Sequence, residues 1–119
     1  MRQLGELQTA IMNTLWTRVE PVSVREVLNE LSRTRPLAYT TVMTVMDTLY
    51  HKGMVTRSRQ GRGYVYRAAK SKAEHTAEML AEVLGETDQP AAALLRFVER
   101  MDPADVAEFR RVLDAAGED

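Results

Sequence analysis

No cysteine occurs in the 119 residues, which excludes a disulfide framework and any thiolate metal site. No apolar run approaches the length of a membrane span, so membrane insertion is not expected, and no low-complexity tract interrupts the chain. The N-terminal MRQLGELQTA lacks the apolar core of a signal peptide, so the expected location is cytoplasmic. Histidine is scarce, with only His51 and His75. A metal site would therefore have to recruit Glu74 or Glu78, and so small a ligand set arises readily by chance; these residues read as solvated surface. The seven methionines fall on apolar stripes and read as core filler. No Ser-His-Asp, Cys-His or paired-carboxylate arrangement stands out, so no catalytic residue, metal or cofactor is expected.

What is present suits a folded, soluble chain, with 45% hydrophobic residues. The length fits one domain, or a small domain with an appendage. The net charge of −1 conceals a division. Residues 1–72 hold twelve Lys and Arg against five Asp and Glu, a balance of +7, whereas residues 73–119 hold four against twelve, a balance of −8. An anionic partner is implied for the first part only.

Residues 38–67, AYTTVMTVMDTLYHKGMVTRSRQGRGYVYR, organise the rest. Val42, Val45, Met46 and Leu49 recur at i, i+3, i+4 and i+7, an inward helical stripe. Thr40, Thr44, Asp47 and His51 lie nearly opposite, with Met43 and Thr48 on the flanks. That outer face is small, neutral and able to donate and accept, which suits contact with base edges. Thr and Val are poor helix formers, but the residues do not alternate by two, so the period decides for a helix. Gly53 ends it. Residues 54–59 and 64–67 alternate apolar with polar around Gln60-Gly61-Arg62-Gly63, the pattern of a β-hairpin, or wing.

Before this stretch, Leu4, Leu7, Ile11, Leu15 and Val19 follow helical spacing, giving a first helix over residues 4–18 that Glu20-Pro21 breaks. Ser23 with Glu26 forms a capping box opening a second helix, whose stripe is Val24, Val27, Leu28 and Leu31. After it, Ser71 with Glu74 opens a fourth helix closed near Gly85, Pro90 begins a fifth, and Asp102-Pro103 caps a sixth. The expected architecture is mainly α with a small β-hairpin wing: a winged helix-turn-helix domain over residues 1–70 and a helical dimerisation domain over residues 71–119. The three last helices are short for an independent core, so they pack either back on the winged helix or on the same helices of a second copy; the second is preferred, because two recognition helices about 34 Å apart match one turn of duplex. Met79, Leu80, Val83, Leu84, Leu94, Phe97, Val98, Phe109 and Leu113 are the expected dimer interface, pairing with a second copy.

Thr40, Thr41, Met43 and Thr44 are the candidates for contact with DNA from the third helix, where the helix N-terminus also favours phosphate. One of the threonines, Thr40 or Thr41, is expected to share in capping the helix. Arg57, Arg59 and Arg62 are candidates from the wing; the plainer reading is a charged hairpin protected from edge-to-edge pairing. Tyr64 and Tyr66 share one strand face and are expected to pack against the first helix rather than touch DNA; Trp16 is expected in the core for the same reason, and its N–H needs a partner.

These residues resemble the BlaI/MecI family of penicillinase and methicillin-resistance repressors. The likeness rests on Leu4-Gly5-Glu6-Leu7, Met12 and Leu15-Trp16, on Tyr39-Thr40-Thr41-Val42-Met43-Thr44-Val45, on the wing ending Tyr64-Val65-Tyr66, and on the tail LLRFVERMDPADVAEFRRVLDAA. It runs over roughly residues 4–115. The resemblance implies a homodimeric repressor on a pseudo-palindromic operator with TACA/TGTA-like half-sites, released through a membrane sensor-protease pathway that leads to repressor cleavage. Staphylococcal members are cut at Asn-Phe, where this chain has Arg96-Phe97, and they carry Arg at the positions of Met43 and Thr48. The latter change shifts the expected recognition toward thymine methyls. Copper-responsive relatives use a cysteine cluster that this chain lacks.

The expected function is a dimeric sequence-specific DNA-binding transcriptional repressor with double-stranded operator DNA as partner. The alternative is a winged-helix protein–protein interaction module without DNA binding, which the +7 part argues against. A ligand-sensing regulator ranks last, because no segment is left over to line a cavity.

Overall fold

The computed structural model describes residues 4–117. In chain order the elements are α1 (Glu6–Trp16), β1 (Val22–Ser23), α2 (Val24–Leu31), α3 (Tyr39–His51), β2 (Val55–Gln60), β3 (Gly63–Ala68), α4 (Lys72–Leu84), α5 (Pro90–Arg100) and α6 (Pro103–Ala116). They fall into two units, one reaching to Met79 and the other starting at Leu80, within α4.

In the first unit, α1 starts after Gly5, whose N–H donates to Gln8 Oε1 at 3.2 Å. It stops at Trp16, where the Thr17 hydroxyl donates to the Thr14 carbonyl at 2.8 Å. The expected helix to residue 18 is thus too long, and Val19 leaves the apolar stripe to stand 85% exposed. The Ser23 cap of α2 is reciprocal: Glu26 N–H donates to Ser23 Oγ at 3.1 Å, and Ser23 N–H donates to Glu26 Oε1 at 3.0 Å.

Helix α3 forms despite its β-branched residues because Val42, Met46 and Leu49 become fully buried, and burying each such side chain contributes about 1.5–3 kcal/mol. Its N-cap is Ala38, which has no side-chain acceptor. The expectation that Thr40 or Thr41 would cap is corrected: both lie inside the helix, and the N–H groups of Thr41 and Val42 reach the Ala38 carbonyl at 3.1 and 3.2 Å. The far end closes as a Schellman motif on Gly53, at φ +79°. There Gly53 N–H donates to the Tyr50 carbonyl and Met54 N–H to the Leu49 carbonyl.

Strands β2 and β3 pair antiparallel from Val55↔Ala68 to Gln60↔Gly63, leaving Gly61-Arg62 as a two-residue turn. Gly61 has φ +61°, at the central position where a II′ hairpin takes glycine. A third strand that the sequence pattern did not reveal, β1, pairs with β3 through Val22↔Tyr66 and Ser23↔Val65, giving the order β1-β3-β2. Ile11, Met12 and Leu15 of α1, the α2 stripe, Val42, Met46 and Leu49 of α3, Val22, Val55 and Tyr66 form one core, with Val45 partly buried against it. This is a winged helix-turn-helix.

In α4, α5 and α6 no side chain is buried. Asp102 Oδ1 accepts from Ala104 N–H at 2.8 Å, so α6 has its expected cap. Leu80, Val83, Leu94, Leu95, Phe97, Val98, Phe109, Val112 and Leu113 are 37–58% exposed; Met79 and Leu84 are partly covered.

Candidate nucleic-acid interface

The inward stripe of α3 fixes what faces out. Thr40, Thr41, Met43 and Thr44 are all exposed, Met43 by 42%. At the start of α3 the Ala38 carbonyl takes the N–H groups of Thr41 and Val42, and no side chain caps those of Tyr39 and Thr40. Thr48 is less available, because its hydroxyl donates to the Thr44 carbonyl at 3.0 Å.

The wing arginines separate into three situations. Arg62 sits at the hairpin tip, exposed, with no hydrogen bond or ion pair among the described residues. Arg59 is exposed, with Nη1 donating to Tyr64 Oη at 3.4 Å and the guanidinium 5.5 Å from the ring. Arg57 turns toward the protein, its side chain only 18% exposed and Nη1 3.0 Å from Asp47 Oδ1. The guanidinium stands 3.8 Å from the Tyr50 ring centroid and 4.2 Å from that of Tyr64. Burial disfavours its charge, but hydrogen bonds with Tyr66 and Asp47 outweigh that and hold its pKa above the ordinary value. Arg57 therefore meets α3 where it was expected to meet phosphate alongside Arg59 and Arg62.

The structure adds two residues to the surface. Arg25, on the outer face of α2, lies 4.8 Å above the ring of Tyr39, the first residue of α3. Beside the Val24, Val27, Leu28 and Leu31 stripe, an exposed Arg25 is readable from the helical period; its meeting with Tyr39 is not. Between them and the hairpin runs an open groove of about 550 Å3, lined among others by Ser23, Arg25, Tyr39, Gln60 and Tyr64. The carboxylates of Glu20 and Glu26 also line it, so positive charge dominates only toward the wing tip.

The other candidates are placed elsewhere. Tyr66 is in the core, while Tyr64 is partly buried and meets it edge-on at 6.4 Å. His75 packs on Trp16 at 5.4 Å, Glu74 meets the Ser71 hydroxyl, and Glu78 pairs with Lys70. Among the described residues no three His, Asp or Glu side chains come together as a metal site.

The model of the penicillinase repressor family matches residues 4–115. The transcriptional regulator BlaI of Mycobacterium tuberculosis is 38% identical over 116 residues, spanning 95% of this chain and 84% of that protein. Among solved structures, the DNA-binding domain of the repressor BlaI superposes with a TM-score of 0.54 at 25% identity, over 61% of this chain and 88% of that one. The monomeric form of Bacillus licheniformis BlaI, solved in complex with the blaP half-operator, gives 0.50 at 25% identity, over 60% and 87%.

Proposed function

The chain belongs to the penicillinase repressor family and is a DNA-binding transcriptional repressor, and we propose that it acts as a homodimer on a pseudo-palindromic operator. In this reading residues 1–70 are the DNA-reading domain and residues 71–119 the dimerisation domain. Thr40, Thr41, Met43 and Thr44 enter the major groove, and Arg59 and Arg62 hold the phosphates beside it. Arg57 serves from within, bracing the wing against α3. The single observation that carries the reading is the exposed threonine face of α3 beside a hairpin whose tip cation, Arg62, has no protein partner among the described residues. A BlaI monomer bound to a half-operator supports one winged helix per half-site, with two recognition helices about 34 Å apart matching one turn of duplex.

The apolar side chains of α4, α5 and α6 are the proposed dimer contact. Among the described residues no helix is long and apolar enough to cross a membrane, and we place the repressor in the cytoplasm with its operator. Where repression is relieved through a sensor-protease pathway, the Arg96–Phe97 bond lies inside α5, so cutting there requires that helix to unwind first.

The test is retention of genomic fragments by the purified protein across a salt series. With about 6–10 phosphate contacts per dimer, log affinity should fall against log salt with a slope of about −5 to −9. A fragment bound equally at low and moderate salt would contradict the proposal. No retained fragment at any salt would favour a protein–protein module.

A further inference from the structure

Asp47 is the one acidic residue of α3 and stands two turns in, on the same outer face as Thr40 and Thr44. A carboxylate on a phosphate-binding surface repels its ligand, so its presence there needs a reason. Its side chain is half exposed, and its two oxygens are in different situations. Oδ1 accepts from Arg57 Nη1 at 3.0 Å. Oδ2 lies 3.5 Å from His51 Nε2, on a side chain that is itself 68% exposed. An ionised carboxylate offers about four acceptor sites, so Oδ2 keeps capacity directed at solvent. Arg57 in turn has little freedom, being clasped by Tyr50 and Tyr64. The carboxylate is therefore held in one place by a braced cation, as a reading group must be.

We propose that Asp47 is a specificity-determining residue that selects cytosine at one position of each half-site, and that Arg57 is the positioning residue that aims it. The chemistry narrows the choice. An aspartate can only accept, so the guanine edge, with its O6 and N7 acceptors, and the thymine O4 repel it. Adenine offers an amino group but sets the N7 acceptor beside it. Cytosine presents its N4 amino group with no acceptor of its own on the major-groove edge, and is the base left. The Asp47–Arg57 pair is close to neutral overall, which keeps the carboxylate from opposing the backbone contacts of Arg59 and Arg62.

This inference rests on α3 reading the operator, and the experiment separates the two. Selection from a randomised duplex library is run on the parent, Asp47→Asn, Asp47→Ala, Arg57→Gln and the Asp47→Ala/Arg57→Gln double variant, all as the full chain and with folding checked by circular dichroism. The parent should prefer cytosine at one half-site position by about 5- to 100-fold. Asp47→Asn keeps the side-chain shape but gains a donor, and asparagine pairs with adenine N6 and N7, so preference at that same position should move from cytosine to adenine. Asp47→Ala should lose preference there and nowhere else. Arg57→Gln should weaken it at that position, with no further loss in the double variant.

Should the Asp47 variants bind every sequence more weakly but select the parent's bases, the residue is only a brace and the inference is overturned. An Arg57→Gln loss spread evenly over all positions would overturn the positioning role. If the parent selects no sequence at all, the operator reading itself falls and takes this inference with it.

Discussion

The indole N–H of Trp16, at the last turn of α1, donates to the backbone carbonyl of Lys70 at 3.0 Å. The two residues are 54 positions apart, so the bond ties the end of the first helix to the chain just after the wing and before α4. His75 packs against the same ring at 5.4 Å, and the Lys72 ammonium lies 5.9 Å from it. An indole half inside the protein needs a partner for its one donor. Lys70 supplies it, and the ring gathers the first residues of α4 onto the winged helix.

Trp16→Phe keeps an aromatic ring but leaves the Lys70 carbonyl without this donor. The expected cost is about 1–2 kcal/mol, the scale of one net hydrogen bond plus some lost packing. Urea unfolding followed by circular dichroism measures it, since the variant removes the only tryptophan. An unchanged midpoint would mean that the tether contributes nothing to stability.

The α2 cap gives a prediction with a pH dependence. Ser23→Ala should cost about 0.5–2 kcal/mol at neutral pH. Glu26 is held below its ordinary carboxylate pKa, first by the Ser23 backbone N–H, then by the Ser23 hydroxyl and the charge of Arg18, with burial opposing them. A carboxyl whose folded pKa is depressed contributes stability that is complete above its unfolded pKa and disappears as pH falls through the folded one. Glu26→Gln preserves the capping geometry and removes the titration. The parent should therefore exceed this variant in stability at pH 7, by less than about 1 kcal/mol because the side chain is half solvated. The gap should close as pH drops below about 4. A gap that widened in acid would reverse the assigned sign.

Helix periods and caps made most of this fold legible. The α2 stripe and Val42, Met46 and Leu49 of α3 are buried as their spacing requires, with Val45 partly covered; Gly53 closes α3, and Gly61-Arg62 turns the hairpin. Strand β1 was not readable, because two residues carry no period and Val22 earns its place only by pairing with Tyr66. Val19 misled because an apolar residue at the right spacing does not show where Thr17 stops the helix. Ala38 as the α3 cap contradicts propensity, and only the geometry of the preceding loop could select it. At the site, Arg57 was half legible. Strict alternation from buried Val55 puts it on the inner face, but no local pattern says that Asp47, ten residues earlier, waits there.

The roles of helix and wing should separate in binding data. Thr44→Ala should change the preference among half-site variants by about 1–3 kcal/mol at one base position. Arg62→Ala should weaken matched and scrambled duplexes alike and reduce the salt slope by about 1. Fluorescence anisotropy on both duplexes over a salt series distinguishes them. Identical behaviour of the two variants would contradict the assignment of bases to α3 and phosphates to the hairpin tip.

The exposed side of the C-terminal helices supplies the last prediction. Leu80, Leu94, Phe97, Phe109 and Leu113 each keep roughly half of their surface in contact with solvent. So many large apolar side chains on three consecutive helices are what the proposed dimer contact would cover. In a twofold homodimer the same face serves both copies. Leu80→Asp places a carboxylate there, and burying an unpaired charge costs several kcal/mol, more than a contact between helices this short can absorb. The particle mass by sedimentation should fall from twice the chain mass to the chain mass. Operator affinity should then fall by about 100-fold or more, because the second winged helix no longer binds at the high effective concentration that linkage provides. Binding to a single half-site should persist at the parent's per-domain strength, since none of the winged-helix core residues is altered. A variant that stays dimeric would remove Leu80 from the interface. A monomeric variant that holds the full operator as tightly as the parent would show that dimerisation is not what gives this repressor its affinity.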